Sequence, residues 1–202
     1  MSQKLFLFDL DGVLIDSLPN MKIAWKSSCR VCDVKVDFNK FYRNLGMGFY
    51  ESLNKLKIYE NQDLFINNYK KVSSKNLDKI KLFKGVKKTL KKLSLKHKVG
   101  IVTSKDLHRT KKIIKIYNLK FDIISCLKKN LKPKPFPDQI LYAINKIKFQ
   151  KKKTFFIGDT SYDYKAAKAA KVKFIFAKYG YGKINKKYKN KIKNIKEVIK
   201  FN

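Results

Sequence analysis

Five short apolar runs, at 4–8, 99–102, 121–126, 154–157 and 173–177, constrain this chain more than any other feature. Runs of this length fit strands buried on both faces. Between the later runs, apolar residues recur at helical spacing. Val86, Leu90 and Leu93 form one such set, Ile113, Ile114 and Tyr117 a second, and Ile140, Leu141, Ile144 and Ile147 a third. Ala166, Ala167, Ala169 and Ala170 make a small-residue helix able to pack close to a sheet. Strands alternating with helices predict an α/β fold, a doubly wound parallel sheet. Such sheets bind ligands outside the carboxyl ends of their strands.

The rhythm breaks between residues 18 and 82. No buried strand is legible there. Met21, Ile23, Trp25, Phe38, Phe41, Leu45, Leu53, Leu56, Leu64, Phe65 and Tyr69 read as the apolar faces of several amphipathic helices. The segment is therefore expected to be a small all-helical cap (18–82) inserted after the first strand of a core formed by 1–17 and 83–202. In the lysine-rich tail, 183–202, Ile192, Ile195, Val198 and Ile199 are spaced for a last helix.

With 44% hydrophobic residues, the 202-residue chain can bury a core despite a net charge of +34. That charge raises the question of a nucleic-acid or other polyanion partner. The lysines, however, run along nearly the whole length, and only Arg30, Arg43 and Arg109 supply the guanidinium forks that read bases and phosphates. No specific nucleic acid is expected, and polyanion or RNA binding stays a distant alternative. No run of 18 apolar residues is present, so no membrane span is expected. The first apolar run is too short for a signal-peptide core, which makes the cytoplasm the default expectation. Cys29, Cys32 and Cys126 form no disulfide framework, and the C-x-x-C at 29–32 has neither a second pair nor a nearby histidine.

Chemistry concentrates in four polar clusters, each after an apolar run. They are Asp9-Leu10-Asp11-Gly12-Val13, Thr103-Ser104-Lys105, Lys132-Pro133-Lys134-Pro135, and Gly158-Asp159 with Asp163 four residues on. Parallel strands would bring all four to one sheet edge. Asp9, Asp159 and Asp163 offer hard anionic oxygens suited to Mg²⁺, and clustered carboxylates need a cation. A turn at Gly12 would aim both Asp9 and Asp11 into the site, one to attack phosphorus and the other to handle protons. Thr103 and Ser104 can donate to phosphate oxygens, and Lys132 is a compact cation able to offset their charge. None of these clusters is specific alone. Their order, each behind a strand, is.

Taken together they resemble the haloacid-dehalogenase-like (HAD) hydrolase superfamily, in its phosphoglycolate-phosphatase and β-phosphoglucomutase branch. The stretch 9–17 is similar to the first motif of that branch, 102–105 to the second (which often has asparagine where Ser104 stands), 132–135 to the third and 158–163 to the fourth. Tyr179-Gly180-Tyr181-Gly182 is similar to a segment frequent in phosphoglycolate-phosphatase-like members. The resemblance implies a Rossmann-like core and a phosphatase acting through an aspartyl-phosphate. By it, Asp9 is the nucleophile and Asp11 the general acid and base. Thr103 and Ser104 bind phosphate, and Lys132, ahead of Lys134, orients nucleophile and phosphate. Mg²⁺ is held by Asp9, Asp159 and the Asp11 carbonyl, with Asp163 in support. Relatives that cleave carbon–halogen bonds lack an acid at the position of Asp11, so its presence favours phosphate esters. The cap stretch 43–48 is similar to a specificity loop, which makes Arg43, Gly46 and Met47 candidate substrate readers. The implied partner is a small phosphorylated substrate, phosphoglycolate-like. A sugar phosphomutase or a pyrophosphatase are alternatives, and the protein is expected to be a monomer or homodimer.

Overall fold

The computed structural model describes residues 2–182 and 188–201. In chain order it contains β1 (Leu5–Phe8), β2 (Ile15–Asp16), α1 (Leu18–Val31), α2 (Phe38–Tyr42), α3 (Phe49–Lys55), α4 (Gln62–Lys75) and β3 (Lys81–Leu82). There follow α5 (Val86–Ser94), β4 (Lys98–Thr103), α6 (Leu107–Ile116), β5 (Ile123–Cys126), α7 (Asp138–Lys146), β6 (Thr154–Gly158), α8 (Ser161–Ala169), β7 (Lys173–Ala177) and β8 (Lys191–Ile192). All five predicted strands are present. They lie in one parallel sheet of order β5-β4-β1-β6-β7-β8.

Alternation along the central strand explains the layering. Phe6 and Phe8 enter one apolar cluster with α5, α6 and the last turns of the chain, while Leu5 and Leu7 enter another with α7 and α8. Both faces are covered, which is why β1 reads as an unbroken apolar run. Register then positions the site. Phe8 is level with Ile101 of β4 and Ile157 of β6, so Asp9, Thr103 and Asp159 emerge at one edge. That edge is where the strand order reverses direction, since β1 has β4 on one side and β6 on the other.

The insert carries α1 to α4 and has its own apolar cluster built on Trp25, Phe41, Phe65 and Tyr69, while the last two residues of the expected all-helical segment 18–82 form β3. The Trp25 ring stacks on Phe41 at 4.3 Å and meets Phe65 edge-on at 4.9 Å. Ile23 and Leu64, read as core-facing, are instead exposed, because each lies beside the buried stripe of its helix. Cys29 and Cys32 are free and pack beside the same cluster. The two crossings between insert and sheet lie side by side, since β2 pairs antiparallel with β3.

The tail departs from expectation. Ile192 closes β8 on the edge of β7, and Ile195 and Val198 are buried by a 3₁₀ helix over Ile195–Phe201, not an α-helix. The edge of β7 offers unpaired backbone groups, and the ladder bonds Phe176 N–H to Asn190 O (3.0 Å) and Lys178 N–H to Ile192 O (2.9 Å) claim Ile192, the first residue that periodicity assigned to a helix. The part of that tail at 183–187 lies outside the described residues. Among the described residues no helix is long and apolar enough to cross a membrane.

Candidate active site

Asp9 continues the β1 ladder, its N–H bonding to Ile157 O at 2.8 Å, and its side chain is nearly fully buried. The chain then turns sharply, with the carbonyl of Leu10 accepting from the N–H groups of Leu14 and Ile15. Gly12 makes the turn at φ +83°, and a Cβ there would lie 2.4 Å from Asp159 Oδ2. Conformation and space both require glycine at this point. The turn brings Asp11 to the same cavity wall as Asp9. Asp11 Oδ1 accepts from Ser17 Oγ at 2.5 Å and pairs with Lys105 Nζ at 3.2 Å.

Across from them, Asp159 follows β6 and Asp163 sits in the first turn of α8. Thr160 and Asp163 form a capping box. Asp163 Oδ2 accepts from Thr160 N–H (2.9 Å) and Thr160 Oγ (2.6 Å). Its other oxygen accepts from Lys134 Nζ at 2.7 Å, and the same ammonium lies 3.0 Å from Asp9 Oδ1. Asp159 Oδ2 accepts from the N–H groups of Tyr181 (2.6 Å) and Gly182 (3.3 Å).

Of the two lysines in the third cluster, the structure brings Lys134 to the carboxylates and not Lys132, the one favoured from the sequence. Lys134 is 1% exposed and bridges Asp9 and Asp163. Lys132 is exposed, its Nζ 5.1 Å over the ring of Phe136, away from the carboxylates. The backbone decides this. Asp138 accepts from Lys132 N–H (3.2 Å), and the turn closed by Phe136 N–H on Pro133 O (3.0 Å) directs Lys134 inward two residues later.

Carboxylate oxygens of Asp9, Asp159 and Asp163 lie within 4.8 Å of one another. Burial raises the pKa of Asp9 to about 7, Lys134 pulling it back and the charges of Asp163 and Asp11 pushing it further up. Asp159 is raised well above the carboxylate range by burial, then by Asp163 and Asp9. Burial alone would lower the Lys134 ammonium, but Asp163 and Asp9 outweigh it and the net shift is upward. One lysine faces three buried carboxylates, and Asp159 Oδ1 is buried with no hydrogen-bond partner. An orphaned carboxylate oxygen beside two more carboxylates fits a divalent cation bound through oxygen. The carboxylate of Asp11 is not in this trio, being turned to Ser17 and Lys105.

Thr103 is buried, its Oγ accepting from Lys105 N–H (3.1 Å) and its carbonyl from Gln139 Nε2 (2.7 Å). Ser104 Oγ is buried without a partner, and both residues line the cavity. Of the specificity candidates, Gly46 and Met47 line it as well. Gly46 (φ +97°) lies so close to the core that a Cβ would meet Thr160 Oγ at 2.6 Å, and Met47 Sδ accepts from the Tyr162 hydroxyl at 3.6 Å. Arg43 is exposed and lines a neighbouring groove beside Tyr42 and Tyr162, which shares Leu45, Thr160 and Tyr181 with the cavity but not Arg43 itself. Sequence reading gave no role to three residues that the fold brings to the site. Lys105 and Arg109 are buried on the cavity wall, and Tyr181 ties Asp159 through its N–H while its hydroxyl accepts from Ser17 N–H at 2.6 Å. Lys105, inside the second cluster, and Tyr181, inside the 179–182 segment, carried a signal in the sequence; Arg109 carried none.

Residues 6–177 match the family model of the haloacid dehalogenase-like hydrolases. Over 187 residues the chain is 28% identical to a phosphoglycolate phosphatase of Aquifex aeolicus, covering 90% of this chain and 88% of that one. It is 26% identical over 181 residues to the "Putative pyrophosphatase PpaX" of Caldanaerobacter subterraneus, covering 86% and 80%. A solved haloacid dehalogenase-like hydrolase from Streptococcus pneumoniae superposes with a TM-score of 0.87 over 98% of both chains at 21% identity.

Proposed function

The chain belongs to the haloacid dehalogenase-like hydrolases, and within that family we propose that it is a Mg²⁺-dependent phosphatase of a small, phosphoglycolate-like phosphomonoester. The observation that carries this reading is the buried constellation at the sheet edge. Lys134 joins Asp9 to Asp163, Asp159 Oδ1 is left free, and Asp11 is held on the same wall.

Asp9 is the nucleophile. Its carboxylate oxygen bonds to phosphorus as the ester oxygen departs, leaving an aspartyl-phosphate. Asp11, held by Ser17 and Lys105, gives its proton to that leaving oxygen. It then takes one from the water that attacks the aspartyl-phosphate, which returns Asp9 and releases phosphate. Lys134 holds Asp9 in place and offsets charge on the phosphoryl group, with Asp163 fixing the lysine. Thr103 and Ser104 donate to phosphoryl oxygens. Mg²⁺ held by Asp9, Asp159 and the Asp11 carbonyl would supply charge that keeps Asp9 ionised and stabilises the transferring group. Activity is therefore expected to vanish with a chelator and to return with Mg²⁺. Undiminished hydrolysis after thorough metal removal would contradict the assignment.

The helical insert acts as the cap that covers the leaving group. Its contribution to the cavity is mostly apolar, from Met21, Phe41, Leu45, Met47 and Phe49, with Tyr69. Such a wall offers few hydrogen-bonding groups to sugar hydroxyls, which favours a small phosphatase substrate over the sugar of a phosphomutase. Met47→Ala is expected to change the ranking of phosphomonoesters by kcat/KM, and Arg43→Ala to keep it. A panel assay giving the opposite result would move the reader of the leaving group to the neighbouring groove.

A further inference from the structure

We propose that Arg109 is the specificity-determining residue of this site, reading a second anionic group, carboxylate or phosphate, on the leaving side of a short phosphomonoester. The inference rests on the phosphatase reading above and goes beyond it. The phosphoryl-gripping set of Thr103, Ser104, Lys134 and the carboxylates is complete without Arg109. Yet Arg109, in the first turn of α6, is only 6% exposed and lines the same cavity.

Its known partners take only part of its capacity. Nε donates to Asp106 Oδ2 at 2.5 Å and Nη1 to Ser73 Oγ at 3.0 Å. A guanidinium has five N–H donors in a rigid plane, so most of the fork is left for a ligand. That fork matches the two oxygens of a carboxylate or phosphate, and the charge persists at any working pH.

Competing readers are few. Among the described residues, the cations lining the cavity are Lys105, Arg109 and Lys134. Each lysine is paired with carboxylates of the reacting set, Lys134 with Asp9 and Asp163 and Lys105 with Asp11, whereas the carboxylate paired with Arg109 is Asp106, which does not line the cavity. The cap supplies no cation to this wall, Arg43 being in the neighbouring groove. The cavity volume is about 90 Å³, far below the several hundred Å³ of a drug-sized ligand pocket. An anion beyond the phosphoryl group must then sit close behind it, on the wall that Arg109 shares.

The test measures kcat/KM with Mg²⁺ for 2-phosphoglycolate, for pyrophosphate and for 2-hydroxyethyl phosphate, whose leaving group is neutral. Wild type is expected to prefer at least one of the two anionic substrates, and the one preferred identifies carboxylate or phosphate as the group read. In R109Q the anionic-to-neutral ratio should fall on the order of 10- to 100-fold, the loss of a charge-assisted bidentate contact. R109K, which keeps the charge but not the fork, should lie between. Ser73→Ala removes the bridge from Arg109 to α4 without touching the charge, and should keep the ratio. An unchanged ratio in R109Q, an equal fall in Ser73→Ala, or no anionic preference in wild type overturns the role of Arg109 while phosphatase activity stands. Wild type that hydrolyses none of the three with Mg²⁺ overturns the phosphatase reading itself.

Discussion

Asp9→Asn is expected to lower kcat on the order of 10⁴-fold or more, as loss of a nucleophile does, with the fold retained. Asparagine is nearly isosteric, so the packing at the end of β1 survives. An amide, however, is a poor nucleophile and a weaker ligand for a hard cation. Stability should move the other way. In the metal-free protein the folded-state pKa of Asp9 is raised, chiefly by burial. Such a group favours the native state at low pH, where it is protonated, and loses that contribution as pH rises through the raised folded-state pKa. Asparagine carries no charge to bury. Metal-free Asp9→Asn is therefore expected to melt above wild type near pH 8, the gap closing as pH falls toward 4. Calorimetry across pH, with turnover assays on protein checked for deamidation, tests both halves. Substantial residual turnover without deamidation would remove Asp9 from the nucleophile's role.

Lys134→Met is expected to be the second most damaging change. It leaves Asp9, Asp159 and Asp163 buried with no lysine among them. Removing one partner of a buried ionic cluster costs about 3–5 kcal/mol. Loss of the charge beside the transferring phosphoryl group should lower kcat by about 10²–10³-fold. Added Mg²⁺ should recover part of the stability by supplying charge to the same carboxylates. Lys132→Met, two residues away and exposed, should change stability by no more than about 0.5 kcal/mol and keep turnover within about twofold of wild type. Denaturant unfolding of both variants, with and without Mg²⁺, separates them. Equal behaviour of the two lysines would mean that the buried bridge does not matter to the chemistry.

These two lysines mark the boundary between what sequence and structure each supplied. Sequence by itself determined the parallel α/β core, because strands covered on both faces read as near-continuous apolar runs, as Leu5–Phe8 and residues 155–157 do. It also determined that Asp9, Thr103 and Asp159 meet, since parallel strands in register put their carboxyl ends at one edge. The helices α1 to α4 were legible from periodicity, whereas the strand β3 at 81–82 was not. Tertiary structure alone decided what depends on the path of irregular backbone and on packing from distant segments. Lys132 and Lys134 are the same residue type on either side of a proline, and only the loop after β5 turns one inward. Arg43 sits in a stretch that looks functional yet faces a neighbouring groove, whereas Arg109, on an ordinary amphipathic helix, lines the cavity and donates through Nη1 to Ser73 of α4. The spacing of Ile192, Ile195 and Val198 suits a helix, but the open edge of β7 draws Ile192 into a strand. Local pattern reports how much of a segment is buried and at what period. Which neighbour buries it, and which of two like charges is left without water, depends on residues far away in the chain.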